Sequence, residues 1–213
     1  MEREAFLSRL ASRVRGEEQE NDESPRPERQ PALSREACVA LFTERLRDLG
    51  VEASLVGSQE AARADVERLV QERGWTRLAC PKSTAWGTIA KKRTDQLAEA
   101  QLGLSVADWA IADTGTVVVC SSEAVLRSYS LVSPTVAFFV PQSRIRQTVG
   151  DVLGELPTTA RSLPSCVTFI TGPSSTADLA GVHVVGVHGP GEVFVWMIDG
   201  PVDGSVGLGE RDE

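Results

Sequence analysis

The chain has 213 residues, 41% of them apolar, which is enough for one sizeable domain with an appendage. Its net charge of −8 and the absence of any Lys/Arg stripe beyond Lys91-Lys92-Arg93 exclude nucleic acid as an expected partner. No run approaches the roughly 20 apolar residues of a membrane span, and the charged N-terminus lacks an apolar leader core, so a cytoplasmic protein is expected.

Residues 3–15 place Phe6, Leu7, Leu10 and Val14 on one stripe and read as a helical arm (1–15). Residues 16–33 follow as a flexible linker. Seven acidic or amide side chains precede Pro25, and Pro27 and Pro31 come soon after. The main domain is expected over 34–199. Ser34 is a candidate N-cap and Gly50 a candidate C-terminal stop for its first helix. Val51–Val56 reads as a strand, Ser58 to about Gly74 as a second helix, Arg77–Cys80 as a short strand, and 94–103 as a further helix.

The second half is richer in strands. Val106–Ala112, Thr116–Ser121, Val136–Val140, Val167–Thr171, Val182–Val187 and Val193–Ile198 are β-branched or apolar runs, interrupted by a helix over 143–156. The tail, 200–213, is acidic, Gly-rich and expected to be flexible. Alternating helices and strands followed by buried Val-rich runs indicate an α/β fold with a mostly parallel sheet flanked by helices.

Cys38, Cys80, Cys120 and Cys166 lie about forty residues apart, with no CxxC pair. They read as small buried hydrophobes, and no metal site is expected. Dinucleotide, Walker and nucleophile-elbow motifs are missing, so no cofactor is expected.

Three segments can carry chemistry. Thr171-Gly172-Pro173-Ser174-Ser175-Thr176-Ala177-Asp178 follows a strand and offers backbone freedom, hydroxyls and a carboxylate. It reads as a helix cap or as a ligand cradle, with anion-binding N–H groups if a helix starts near Thr176. Asp108 and Asp113 bracket an apolar strand. Their odd spacing puts them on opposite faces, so they are not an acid–base pair. Asp113 with Thr114, Gly115 and Thr116 closes a turn or contacts a ligand. His188 stands in Gly186-Val187-His188-Gly189-Pro190, as a proton-transfer group or as a turn imidazole. His183 reads as structural. Arg127 is a clamp for an anion or a surface ion-pair residue. Candidate catalytic groups are thus Asp113, Asp178 and His188. A ligand pocket would use Thr114, Gly115, Thr116, Arg127, the 171–176 loop, Asp178, His188 and Gly189.

Taken together, Ala107–Thr116, Ile170–Asp178 and Gly186–Pro190 resemble the lactate-utilisation protein C family, the LUD-domain or DUF162 family, over roughly residues 34–199. The resemblance implies a fold similar to sugar-phosphate isomerases, CoA transferases and 5-formyltetrahydrofolate cyclo-ligases. It implies an accessory subunit in the oxidation of L-lactate to pyruvate; the loop N–H groups, hydroxyls and Arg127 make a small anionic metabolite the expected ligand. The subunit's partners would be iron–sulfur subunits, with a homo-oligomer possible. The competing readings are a ligase or isomerase acting on a phosphorylated or folate-like substrate, and a scaffold that grips a neighbour through its N-terminal arm. The chain departs from the family pattern at five places. Asp113 stands where glutamate is usual, Ala137 and Phe194 where histidine is frequent, and Ser175 where arginine is usual; Ala180 lies near a usual glutamate. Without that arginine, a bidentate anion contact is lost.

Overall fold

A computed structural model describes residues 31–80, 86, 89, 97–121, 127–157, 163–177, 183–186 and 188–203. The arm over 1–15, the linker before residue 31 and the tail beyond Asp203 lie outside the described residues. Leu33–Glu213 forms one compact unit, and the fold below is that of this unit.

Its first elements are set by local chemistry. Helix α1 (Arg35–Asp48) starts at Ser34, whose hydroxyl accepts from the Ala37 N–H at 3.2 Å. It stops at Gly50, where φ is +71°. The Gly50 N–H reaches Arg47 O and the Val51 N–H reaches Leu46 O, the paired bonds of a glycine-terminated helix. Strand β1 (Glu52–Val56) follows. Helix α2 (Gln59–Glu72) repeats the pattern, capped by Ser58 and closed at Gly74, φ +63°.

The core is a five-stranded, wholly parallel sheet. Its order is β1, β11 (Glu192–Ile198), β6 (Thr135–Pro141), β3 (Leu102–Val106) and β2 (Leu78–Ala79). Each face is covered. Phe42 and Leu46 of α1 pack with Phe138, Val140, Val195 and Met197. Ala62 and Val66 of α2 pack with Leu104, Phe139, Trp196 and Ile198 on the other side. Burial on both faces is why these strands are continuous apolar runs.

A second, four-stranded sheet has the order β7 (Ile145–Arg146), β4 (Trp109–Ile111), β5 (Thr116–Cys120), β8 (Val167–Ile170). Pairs β4–β5 and β5–β8 are antiparallel, and β4–β7 is parallel. Val117 and Val119 face the α1 side of the core, whereas Val118 and Cys120 pack under Val152 of α3 (Val149–Glu155). Alternation along one Val-rich strand therefore feeds two different cores.

Several expectations are corrected. Of the expected helix over 94–103, residues 94–96 lie outside the described residues, Leu97–Glu99 is a short 3-10 turn, and Leu102 already begins β3. Every residue of β3 is buried between two parallel neighbours, so burial overrides a weak helix signal. The expected strand Val106–Ala112 is cut in two. The Ala107 N–H still bonds Phe139 O in the parallel sheet, and the Asp108 N–H bonds Val118 O in the second sheet. The helix over 143–156 is confined to Val149–Glu155, because Ile145–Arg146 pairs with β4 and Thr148 caps the helix through a reciprocal bond with Asp151. Within the expected strand Val182–Val187, whose end residues lie outside the described ones, β10 spans His183–Val185. It pairs antiparallel with β9 (Ser175–Ala177) in a two-stranded ribbon.

Candidate functional site

The turn between β4 and β5 is built on α1. Gly115 has φ +67°, and a Cβ there would lie 3.0 Å from both Arg45 Cβ and Leu49 Cδ1. Gly172, after β8, has φ +74°, and its Cβ would lie 3.2 Å from Leu49 Cβ. The two glycines thus close on one leucine at the end of α1, and only glycine permits both the backbone and the approach. Arg45 Nε donates to Asp113 O at 3.2 Å, and the Asp113 N–H donates to Gln147 O. These main-chain bonds fix the turn, while the Asp113 side chain stays half-buried.

Three hydroxyls form a chain across this turn. Thr114 Oγ1 lies 2.7 Å from Thr116 Oγ1, which lies 2.8 Å from Thr171 Oγ1. Thr116 is only 4% exposed, whereas Thr114 and Thr171 are exposed. Three hydroxyls carry three protons and two are used between them, so one O–H is not consumed within the trio. The charge around them is already engaged. Arg45 serves Asp113 O and the Asp48 carboxylate, the latter at 3.4 Å. Burial, then the Asp113 and Asp151 carboxylates, push the Cys38 thiol up, against a smaller opposing effect of Arg146. That disfavours the thiolate form needed for nucleophilic chemistry.

The third segment joins through the main chain. The Ser174 N–H donates to Pro190 O, and the Gly186 N–H donates to Ser174 O, both at 2.8 Å. A Cβ on Gly189 would touch Ser174 Cβ at 3.2 Å. The Gly191 N–H bonds Pro134 O, which ties this turn to the start of β6. Ser174 and Gly189 are half-buried, and His188 is exposed at the turn.

Sequence-predicted residues therefore separate into groups. Thr114, Gly115, Thr116, Thr171 and Gly172 share one knot; Ser174 and Gly189 share the adjoining turn. Ser175 and Thr176 are exposed on the β9–β10 ribbon, so no helix starts at Thr176. The reason is pairing: Ser175 and Thr176 are matched with Val185 and Val184 in an antiparallel ladder. The backbone of Arg127 belongs to a 3-10 turn, Arg127–Ser130, that packs against β3 and β6. Asp178 lies outside the described residues, as does Ala180. The gathered segments sit beside the amino ends of β1, β6 and β11, not at the carboxyl ends where open parallel sheets usually hold ligands.

Leu49, Arg45 and Gln147 support the site and are not evident from sequence, where all three fall within expected helices. Ala137 and Phe194 are register partners on β6 and β11, and both are buried in the α2-side core. A small and a large apolar residue fill those positions side by side. Among the described residues, no three His, Cys, Asp or Glu side chains converge as metal ligands. No described helix is long and apolar enough to cross a membrane.

A LUD domain family model matches residues 39–198. Lactate utilization protein C of Halalkalibacterium halodurans is 38% identical over 106 residues, 48% of this chain and 46% of that protein. Lactate utilization protein C of Shouchella clausii is 30% identical over 185 residues, 78% of this chain and 77% of that protein. Across the first such curated relatives, the matched part of the chain spans less than half of their length. A crystal structure of a DUF162 family protein from Deinococcus radiodurans shares the fold, with a TM-score of 0.61 at 20% identity. The match covers 78% of this chain and 99% of that one.

Proposed function

The chain belongs to the LUD domain family, and from that membership we propose that it serves lactate utilisation as an accessory subunit, working beside iron–sulfur subunits that carry the electrons. Support for the system comes from relatives named lactate utilization protein C, one of them similar over 185 residues. The site observation that carries the ligand part is the Thr114–Thr116–Thr171 hydroxyl chain, clamped by Gly115 and Gly172 on Leu49.

The ligand is a small carboxylate metabolite. The hydroxyl chain has one O–H that its own two contacts do not use, and the Gly172–Ser174 backbone follows directly from Thr171. Neutral donors of this kind orient a carboxylate but bind it weakly, since no cation accompanies them and each hydrogen bond to a charged group contributes only about 1.5–3 kcal/mol. The expected role is therefore recognition of lactate or pyruvate by the subunit, with the redox step carried out elsewhere.

Calorimetry on the full chain with L-lactate, pyruvate and inorganic phosphate tests this. We expect weak binding of the two carboxylates, reduced about tenfold or more by Thr171→Val, one lost bond to a charged group being about 1.5–3 kcal/mol. Carboxylate binding that Thr171→Val leaves unchanged overturns the site, and no binding at all overturns the ligand. Deleting the gene and scoring growth on L-lactate tests the system independently; undiminished growth overturns that part.

A further inference from the structure

Strand β1 is the outer strand of the parallel sheet. Strand β11 pairs with one of its edges, and no described strand takes the other. An open edge is a template for another strand, and sheets usually blunt or cover one. The described residues leave this edge uncovered, with Glu52, Ser54 and Leu55 exposed. Leu55 is 61% exposed, more than any other large apolar residue among those described.

Leu55 opens onto a cleft of about 640 Å³ walled by one flank of α1, which contributes Glu36, Ala40, Thr43 and Arg47, with Arg35 and Glu44 beside them. The first four are spaced i, i+4, i+7 and i+11, so they form a single stripe. Opposite charges stand at its ends and small residues at its middle. Neither Glu36 nor Arg47 takes part in an ion pair with another described residue. The stripe is self-complementary under a two-fold axis: Glu36 faces Arg47, and Ala40 faces Thr43. The tight Leu49–Gly50 connection sends β1 back against the direction of α1. A two-fold axis that pairs β1 antiparallel therefore also sets α1 antiparallel to its copy.

We propose that the β1 edge and this α1 flank form a two-fold interface with a second copy of the chain. Strand β1 pairs antiparallel across an axis at Ser54, so Leu55 stands opposite the partner's Ala53 and Glu52 opposite the partner's Val56. No like charges meet directly in this register. On the α2 side, Asp65 and Glu72 are already bonded to Arg68, at 2.7 and 4.0 Å. Above the strands, Glu36 of each copy meets the partner's Arg47, and the two Leu55 side chains are covered by the paired helices.

Light scattering and sedimentation on the full chain, across a concentration series, test the proposal. The wild type is expected as a dimer. Glu36→Arg alone and Arg47→Glu alone should each raise the dissociation constant by at least about tenfold, because each turns two attractive pairs into repulsive ones. The Glu36→Arg/Arg47→Glu double variant should return to the wild-type value, since both pairs are re-formed with reversed sign. Simple damage to α1 would add in the double variant rather than cancel. Leu55→Lys should dissociate the dimer with an unchanged circular dichroism spectrum. A monomeric wild type, a dimer indifferent to Leu55→Lys, or a double variant no better than the single ones overturns the interface and leaves this edge to another partner.

Discussion

Gly115 and Gly50 share a left-handed backbone but not a neighbourhood. A side chain on Gly50 would enter open space; one on Gly115 would strike Arg45 and Leu49 at 3.0 Å. Gly50→Ala should therefore cost about 1 kcal/mol, the backbone penalty alone. Gly115→Ala should cost about 3 kcal/mol, because the helix end must also move. Urea unfolding of the two variants measures the difference, and equal losses would refute tight packing of the turn on α1. The sequence showed that Gly115 and Gly172 lie in turns. It gave no sign that both lean on Leu49, because that contact joins positions far apart in the chain.

Two elements depend on single carboxylates. Asp108 stands where the chain leaves the parallel sheet for the four-stranded mixed one, and its Oδ2 accepts from the Cys120 N–H at 2.7 Å. Asp108→Ala leaves that N–H without its charged acceptor and should cost about 2 kcal/mol in chemical denaturation. Glu155, at the end of α3, bonds Trp109 Nε1 at 2.8 Å and also the Arg146 guanidinium. The Arg146 hydrogen bond, aided by Trp109 and opposed by partial burial, holds its carboxyl below the ordinary value of 4.5. A depressed pKa stabilises the fold above the unfolded-state value, and that gain is lost as pH falls through the folded one. The pair is partly solvent-screened, so Glu155→Gln should cost only about 1 kcal/mol at neutral pH. The deficit should fade below about pH 4.5; a deficit that persists unchanged into acid would show that the charge is not its source. Helices α1 and α2 were legible because Ser caps and Gly stops act within one turn. The break at Ala107–Asp108 was not, since seven apolar-rich residues in a row cannot reveal that two sheets share them.

At the scale of the whole molecule, strand β6 divides two cores. Phe138 packs on the α1 side and Phe139 on the α2 side, where the Trp86 ring stacks on it at 3.5 Å between centroids. Phe139→Ala should cost about 4 kcal/mol and lower the thermal midpoint sharply, as emptied aromatic sites in close-packed cores do. A loss below about 1 kcal/mol would mean that the core collapses around the gap. The amino-acid sequence by itself determined the α/β class, the buried Val-rich strands, the helix limits at Ser34, Gly50, Ser58 and Gly74, and the three loop segments worth attention. Each of these follows from period, propensity or a residue's backbone freedom, all properties of short stretches of chain. Only the tertiary structure decided that the strands divide between two sheets, that Ser175 and Thr176 lie in a ribbon, and that Thr114, Thr116 and Thr171 join their hydroxyls. Strand pairing and packing bring together residues 55 positions apart, as in Thr116 and Thr171, and no local pattern encodes which of many apolar runs will be neighbours.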